Sequence, residues 1–548
     1  MPVRMRFLPV RDDALLIELD DQATTLALFD SLSSDPVAGT GDLIPGARTL
    51  LVSYRPSAVT PERIARVARS RDLGSRVAGD GTLLEIPVSY DGEDLDEIAA
   101  LLGLSVAEIV RLHTGQEYAV GFTGFAPGFA YLSGGHPALD VPRRSSPRTR
   151  IPAGSVALAG TFSGVYPRES PGGWQLIGTT EARMWDLARD QPALLLPGDR
   201  VRFIDVTGTT AGPAASSAAA VPPAAVAEAP GAEPDMAHGL EILTPGMLTL
   251  LQDTGRPGYA SMGVSTSGAL DPVSLRAANR LVGNAAGAAC LEITFGGLRL
   301  RARGEQVLAL TGAPAPLHID GPDGRRSVDA GRPFALGAGD ELTVGAPTAG
   351  IRSYLAVRGG FDLQPVLGSL STDVLAGLGP DPVTAGTVLP VATPQRGLAV
   401  VTLPEPQTGA GLPDIDAGTA EVVLDVVLGP RTDWFSADAV ASLTGQSWLV
   451  SPRSNRVGLR LEGDPLTRVV DAELPSEGTV SGAIQIPPNG QPVLFLADHP
   501  LTGGYPVIGA VATHHLPLAG QLPPGARIRF RPLGPFAEYS PVDAEVSP

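Results

Sequence analysis

Arg143, Arg144 and Arg148 fall within six residues, set among Pro142 and Pro147. The prolines limit the backbone freedom of the segment that presents them. Guanidinium groups stay charged and donate paired hydrogen bonds to carboxylates and phosphates, so the trio reads as an anion-binding loop. The formal net charge is −18 and the loop itself holds no acid, which sets the cluster apart. A solvated basic loop is the plainer alternative. Glu477 lies between Ser476 and Gly478, where a carboxylate beside a glycine turn can act as a general base or ligate Mg²⁺, or simply face solvent. His113, followed by Thr114 and Gly115 at the end of a helical pattern, is a second candidate catalytic group; complementing the helix dipole is its alternative. Trp174 and Tyr505 each follow a Gly-Gly pair and could stack on a ring or pack in a core. The glycines Gly128, Gly172, Gly173, Gly503 and Gly504 would let backbone approach a ligand closely. No metal site is expected. Cys290 is the sole cysteine, an inert core thiol by its context, and the seven histidines form no HxxxH helix. His514 and His515 are too closely spaced to place both rings on one ion from a strand.

These residues must be held by elements that tolerate glycine and proline every few positions. Between Gly121 and Gly178 that composition disfavours helix and predicts short strands joined by sharp turns. The same kind of segment recurs. Phe125–Leu132 resembles Asn455–Leu461, and Pro152-Ala-Gly154-Ser-Val156 resembles Ser476-Glu-Gly478-Thr-Val480. Ser170–Gly178 resembles Leu501–Gly509, and Leu196–Phe203 resembles Pro523–Phe530. Asn455 and Arg456 then occupy the position of the Ala126-Pro127 turn, and join the candidate binding residues. Four matches in one order predict a duplicated barrel-like unit.

The expected fold is mainly β with α+β character. A small N-terminal α+β domain spans 1–82, followed by a barrel over 83–206. A flexible Ala/Pro-rich linker covers 207–236, a first barrel of the second half 237–415, a second barrel 416–533 and a tail 534–548. Thr60-Pro61-Glu62 and Ser105-Val-Ala-Glu108 predict helix starts, and Asp271-Pro272 opens a helix that Gly283 ends. The acidic balance argues against nonspecific nucleic-acid binding and against docking on an anionic membrane. No apolar run is long enough for a signal peptide or a membrane span, so a cytoplasmic protein is expected. All 40 basic residues are arginine. Without lysine the chain has no Walker A loop, no Schiff-base nucleophile and no covalently attached biotin.

Gly124–Leu132, Pro142-Arg-Arg144, Pro147-Arg148, Pro152–Ser155 and Ser170–Trp174 resemble the B-type component of the bacterial ATP-dependent 5-oxoprolinases, the kinase-inhibitor or allophanate-hydrolase-subunit-1 family. Leu251–Gly258, Gly268–Pro272, Ser476–Gly478, Ala483–Pro488 and Thr502–Pro506 resemble the C-type component, the allophanate-hydrolase-subunit-2 family. The same pair forms the carboxyltransferase region of urea carboxylase. The resemblance implies cyclophilin-like barrels and two halves that pack together. It implies a fused B–C component that opens 5-oxo-L-proline to L-glutamate, using ATP and Mg²⁺ with a separate A-type partner. Two alternatives use the same modules: a histidine-kinase inhibitor fused to its antagonist, and a carboxyltransferase fed by a separate biotin carrier. The chain lacks the amidase signature of allophanate hydrolases proper.

Overall fold

The computed structural model describes residues 4–73, 81–144, 146–208, 238–394, 399–401, 404 and 421–540. Almost all of the expected linker, and the end of the expected tail, lie outside the described residues. The expected β-rich fold with barrel-shaped sheets is present.

The chain opens with a four-stranded antiparallel sheet in the order Arg6–Arg11, Ala14–Glu18, Thr49–Tyr54, Thr40–Pro45. Its central strands read as continuous apolar runs because both faces are buried. Phe7, Leu15, Ile17, Leu50 and Val52 pack under the helices Gln22–Ser34 and Pro61–Ser70. The alternate residues Leu8, Val10, Ala14, Leu16 and Leu51 face Ala483, Phe495, Leu501 and Val507 of the last barrel. Each large apolar side chain buried there contributes about 1.5–3 kcal/mol, so the first unit of the chain is joined to the last by its own core. Thr60 caps the second helix by accepting the Arg63 N–H, as the sequence predicts.

Seven strands follow, in the order Gln175–Thr179, Ser155–Ala159, Phe162–Val165, Ala130–Ser133, Tyr118–Thr123, Arg200–Asp205, Leu83–Val88. Arg200–Asp205 and Leu83–Val88 run parallel, and paired Ser89 and Thr179 backbone bonds of 2.8 Å close the seam. Residues 421–532 repeat this order as a closed barrel, with Glu421–Leu428 and Arg527–Pro532 as the parallel pair. Phe203 lies opposite Ile86, and Phe530 opposite Leu424, so two of the equivalences read from sequence, Phe203 with Phe530 and Gly178 with Gly509, hold in the ladders. A third is corrected. Glu477–Gly478 pairs with Thr502–Gly503 as Arg148–Ile151 pairs with Ser170–Gly172. The partner of the Gly154 turn (φ 80°) is therefore Gly482 (φ 86°), one turn later than Gly478.

Between the barrels, residues 239–390 form a six-stranded and a five-stranded sheet around one apolar core. This part of the expected first barrel is two facing sheets. The helix Pro272–Val282, capped by Asp271 and ended by left-handed Gly283, covers Cys290, Ala309 and Tyr354. No helix among the described residues is long and apolar enough to cross a membrane.

Candidate functional site

Two surfaces of the N-terminal barrel differ in kind. Tyr118, Val120, Leu132, Leu158 and Phe203 fill its interior. Outside, Phe122, Phe129, Tyr131, Tyr166 and Trp174 form an aromatic layer, Phe122 stacked on Tyr131 at 4.2 Å and Phe129 edge-to-face with Trp174 at 5.3 Å. This layer floors a cleft of about 460 Å³ between the two barrels. Arg143, Arg144, Gly172, Gly173 and Trp174 enter it from one side, and Arg468, Asp471, Glu473, Gly504 and Tyr505 from the other. Phe125, in the turn before the aromatic strand, holds a left-handed φ of 64°, a conformation a bulky residue adopts only when its surroundings enforce it.

The arginines are not equivalent. Asp94, 2% exposed, accepts from Arg144 Nη1 at 2.7 Å, from Arg148 Nη2 at 2.7 Å and from the Leu176 N–H at 2.7 Å. Burial works against its charge, but Arg148, the Leu176 N–H and Arg144 prevail and hold its pKa below the usual carboxylate value. The basic loop thus does have acids beside it, brought from Glu93, Asp94 and Glu97, some fifty residues upstream. They fix Arg144 at the cleft edge and take Arg148 out of it. Arg143 is exposed and makes no ion pair among the described residues; a side-chain atom on Gly504 would sit 3.8 Å from its Nη1. Tyr131, whose pKa burial raises and Arg143 partly restores, lies beneath it.

Of the residues singled out from sequence, Arg143, Arg144, Gly172, Gly173, Trp174, Gly504 and Tyr505 meet in this cleft. The others do not. His113 is fully buried in the barrel, its Nδ1 2.7 Å from the Tyr90 hydroxyl and its Nε2 2.9 Å from Ser163 Oγ. Burial pulls its pKa down to about 3, so it is a neutral core residue and neither a cleft acid nor a partner of the helix dipole. Glu477 is buried under Arg431, whose Nε lies 2.9 Å from Oε1 and whose Nη1 lies 3.0 Å from Glu18. Burial raises the Glu477 pKa and Arg431 opposes it. Its carboxylate ties the first sheet to the last barrel, and Gly503 is its strand partner. Arg456 is buried between Asp498 and Glu292 and donates to the Gly268 carbonyl at 2.7 Å. Asn455 Oδ1 accepts the Val457 and Gly458 N–H groups and shapes a turn. Gly128 donates its N–H to the Met262 carbonyl across the two halves at 2.9 Å.

Gly172 is needed for packing, since a Cβ there would lie 2.3 Å from the Tyr166 hydroxyl. Sequence reading missed Asp94, Arg468, Asp471 and Glu473. The acid-rich run Asp91–Glu97 could have been set against the arginine trio, whereas Arg468–Glu473 has no distinguishing pattern. Asp425, His514 and His515 place ligand atoms within 4.8 Å of one another, from a strand and a 3-10 turn and not from one strand. His515 Nδ1 already accepts the Asp425 N–H at 2.8 Å, and Arg531 occupies the carboxylate. A neutral imidazole has one lone pair, so His515 has none left for an ion.

The chain matches two family models in order: carboxyltransferase domain, subdomain C and D, over residues 5–195, and carboxyltransferase domain, subdomain A and B, over 262–532. It is 37% identical to the C-type 5-oxoprolinase subunit of Escherichia coli, across 53% of this chain and 90% of that protein. It is 36% identical to the B-type 5-oxoprolinase subunit of Bacillus subtilis, across 38% of this chain and 95% of that protein. Urea amidolyase of Saccharomyces cerevisiae is 32% identical over 54% of this chain, which spans only 16% of that protein. A crystal structure of TTHA0988 superposes with a TM-score of 0.80 at 34% identity, covering 94% of this chain and 99% of that one.

Proposed function

The chain belongs to the carboxyltransferase-domain family of B-type and C-type 5-oxoprolinase subunits, with both types in one polypeptide, and from this we propose that it is the B–C component of an ATP-dependent 5-oxoprolinase. The observation that carries the reading is the cleft to which both halves contribute, Arg143 and Arg144 from one and Arg468 and Gly504 from the other. The reaction consumes 5-oxo-L-proline, ATP and water and yields L-glutamate, ADP and phosphate. Its lactam is unstrained, so the carbonyl carbon must be activated. Phosphorylation of the amide oxygen by ATP lets water add to that carbon, and the ring C–N bond breaks with the nitrogen leaving as the amine. A second water cleaves the acyl phosphate so formed to glutamate and phosphate. The site must then hold a carboxylate and a phosphoryl group together. Arg143 is free to take one anion, and Arg144, fixed by Asp94, offers its remaining donors to the other. The aromatic floor gives the ring an apolar seat and lowers the local dielectric, which strengthens both contacts.

The donor set fits a phosphorylated ligand. Arginines would meet the phosphate oxygens, and Asp471 and Glu473 on the facing wall are the carboxylates available to Mg²⁺. ATP supplies the phosphoryl group; an A-type partner completes the enzyme. Biotin, if used, must ride on another chain, because this one has no lysine.

The test mixes this chain with an A-type partner, Mg-ATP and 5-oxoproline and measures glutamate and ADP. Both should form only in the mixture, and Arg143→Ala should reduce turnover at least tenfold (about 1.4 kcal/mol, the scale of one charge-assisted bond) with an unchanged melting temperature. Folded components that give no glutamate would end the proposal. The urea amidolyase similarity supports a second reading, carboxyl transfer from carboxybiotin on a separate carrier. A biotin-dependent carboxyl-transfer assay would then decide between an enzyme and a regulatory binding protein.

A further inference from the structure

A second cavity, of about 140 Å³, opens at the rim of the N-terminal barrel on the other side of the strand Phe162–Val165 from the arginine cleft. Its walls are mostly apolar: Leu139, Leu158, Pro137 and the Phe162 ring. Three hydroxyl-bearing residues line it: Thr161, which is exposed to solvent, Ser163 and Tyr118. Ser163 Oγ is already paired with His113 Nε2 at 2.9 Å, and the His113 ring is held in turn by Tyr90. Tyr118 is 1% exposed, and its hydroxyl has no hydrogen-bond partner among the described residues. A buried O–H without an acceptor is rare in folded proteins and is costly to leave unmade. What the cavity lacks is therefore one acceptor on a compact apolar frame.

Charge narrows the class. Asp140, at the mouth, is the only acidic side chain among the described lining residues, no arginine is among them, and His136 turns its Nδ1 to the Ala138 N–H at 3.2 Å. An anion would be repelled there, in contrast to the cleft. An apolar cavity of about 150 Å³ accommodates a benzene-sized molecule, so the room matches a ring of five or six atoms. We propose that this cavity is a second ligand site, which takes a small uncharged carbonyl compound with its oxygen on the Tyr118 hydroxyl. Phe162 connects the two sites: it lines the cavity, and its ring meets Tyr131 of the cleft edge-on at 5.8 Å. An occupant would press on the aromatic floor under Arg143.

The probe is cyclopentanone, followed on the full-length chain by ligand-observed NMR, with pivalate as an anion of similar bulk. Cyclopentanone should bind in the millimolar range or tighter, and pivalate should not. Tyr118→Phe should weaken cyclopentanone about tenfold, the loss of one hydrogen bond, while the melting temperature stays level or rises because an unpaired hydroxyl is gone. Gly135→Val narrows the mouth, where a Cβ would lie 3.0 Å from the Tyr118 ring, and should abolish binding. Arg143→Ala should leave the affinity unchanged. The proposal is overturned if the wild type binds no cyclopentanone, if Tyr118→Phe binds it equally well, or if Arg143→Ala weakens it as much.

Discussion

Arg143 and Arg456 carry the same side chain in opposite situations, and the contrast separates binding from architecture. Arg456 is 2% exposed and neutralises two buried carboxylates, Glu292 and Asp498. Burial disfavours the charge of Glu292, yet Arg456 and Arg352 hold its pKa below the ordinary value. Arg456→Met should therefore destabilise the protein by about 3–5 kcal/mol, the cost of leaving buried partners unpaired, read as a lower urea midpoint. Arg143→Ala should leave that midpoint in place. His113 gives a pH signature. Its folded pKa of about 3 lies below the unfolded value of about 6.5, so the unfolded chain binds the extra proton. Its contribution is complete above pH 6.5 and is lost as pH falls towards 3. The stability gap between wild type and His113→Phe should shrink across that window; parallel pH curves would refute the neutral core assignment. The arginine loop was legible in sequence because its members are adjacent and of one kind. Residue type told what His113 and Glu477 can do, but burial decides whether they do it, and burial depends on elements tens of positions away. Asp94 was hidden for the same reason.

At the scale of elements, the duplicated barrel is the clearest message in the sequence, because turns demand glycine and so leave a readable spacing. Gly178 and Gly509 show why. Each lies on the strand that closes a barrel against its first strand. A Cβ on Gly178 would meet the Ser89 carbonyl oxygen at 2.4 Å, and one on Gly509 the Val427 carbonyl oxygen at 2.9 Å. Alanine at position 178 should loosen the seam and destabilise by about 1–3 kcal/mol, as overpacking does; Gly509→Ala should cost less, since its clash is milder. Thermal unfolding of the two variants checks the order, and equal, negligible effects would show that the seam adapts. The misplaced match at Ser476-Glu-Gly478 has a related cause. That segment and Pro152-Ala-Gly154 both flank a strand with a glycine, but Gly154 and Gly482 are the pair that hold the left-handed turn, and sequence alone does not display φ. Nor does it show that residues 239–390 divide between two sheets, since alternation along each strand is the same in either arrangement.

For the whole molecule, the order of B-like and C-like motifs was plain, whereas the way the chain folds back was not. The first sheet seals the last barrel through Leu8, Val10, Leu16 and Leu51. Strands buried on both faces announce two partners without naming the second. Polar contacts extend the joint: Ala47 N–H to the Ser476 carbonyl at 2.8 Å, Thr123 Oγ1 to the Ser261 carbonyl at 2.9 Å, and Arg168 to the Ala376 carbonyl at 2.7 Å. The Glu477–Arg431–Glu18 chain adds a buried ionic tie between the same units. With this much surface shared, the covalent link between the halves need contribute only effective concentration. Cutting the chain near Ala219 should therefore leave two folded halves that elute together from a sizing column at micromolar concentration, and the cut protein should retain its activity with the A-type partner. The double change Leu16→Asp and Leu51→Asp, which buries two charges in the joint, should separate the halves of the cut chain while the uncut chain stays a single species. If the unmodified halves part at micromolar concentration, the linker holds the cleft together, and the two walls that carry Arg143 and Gly504 meet only because they are tethered.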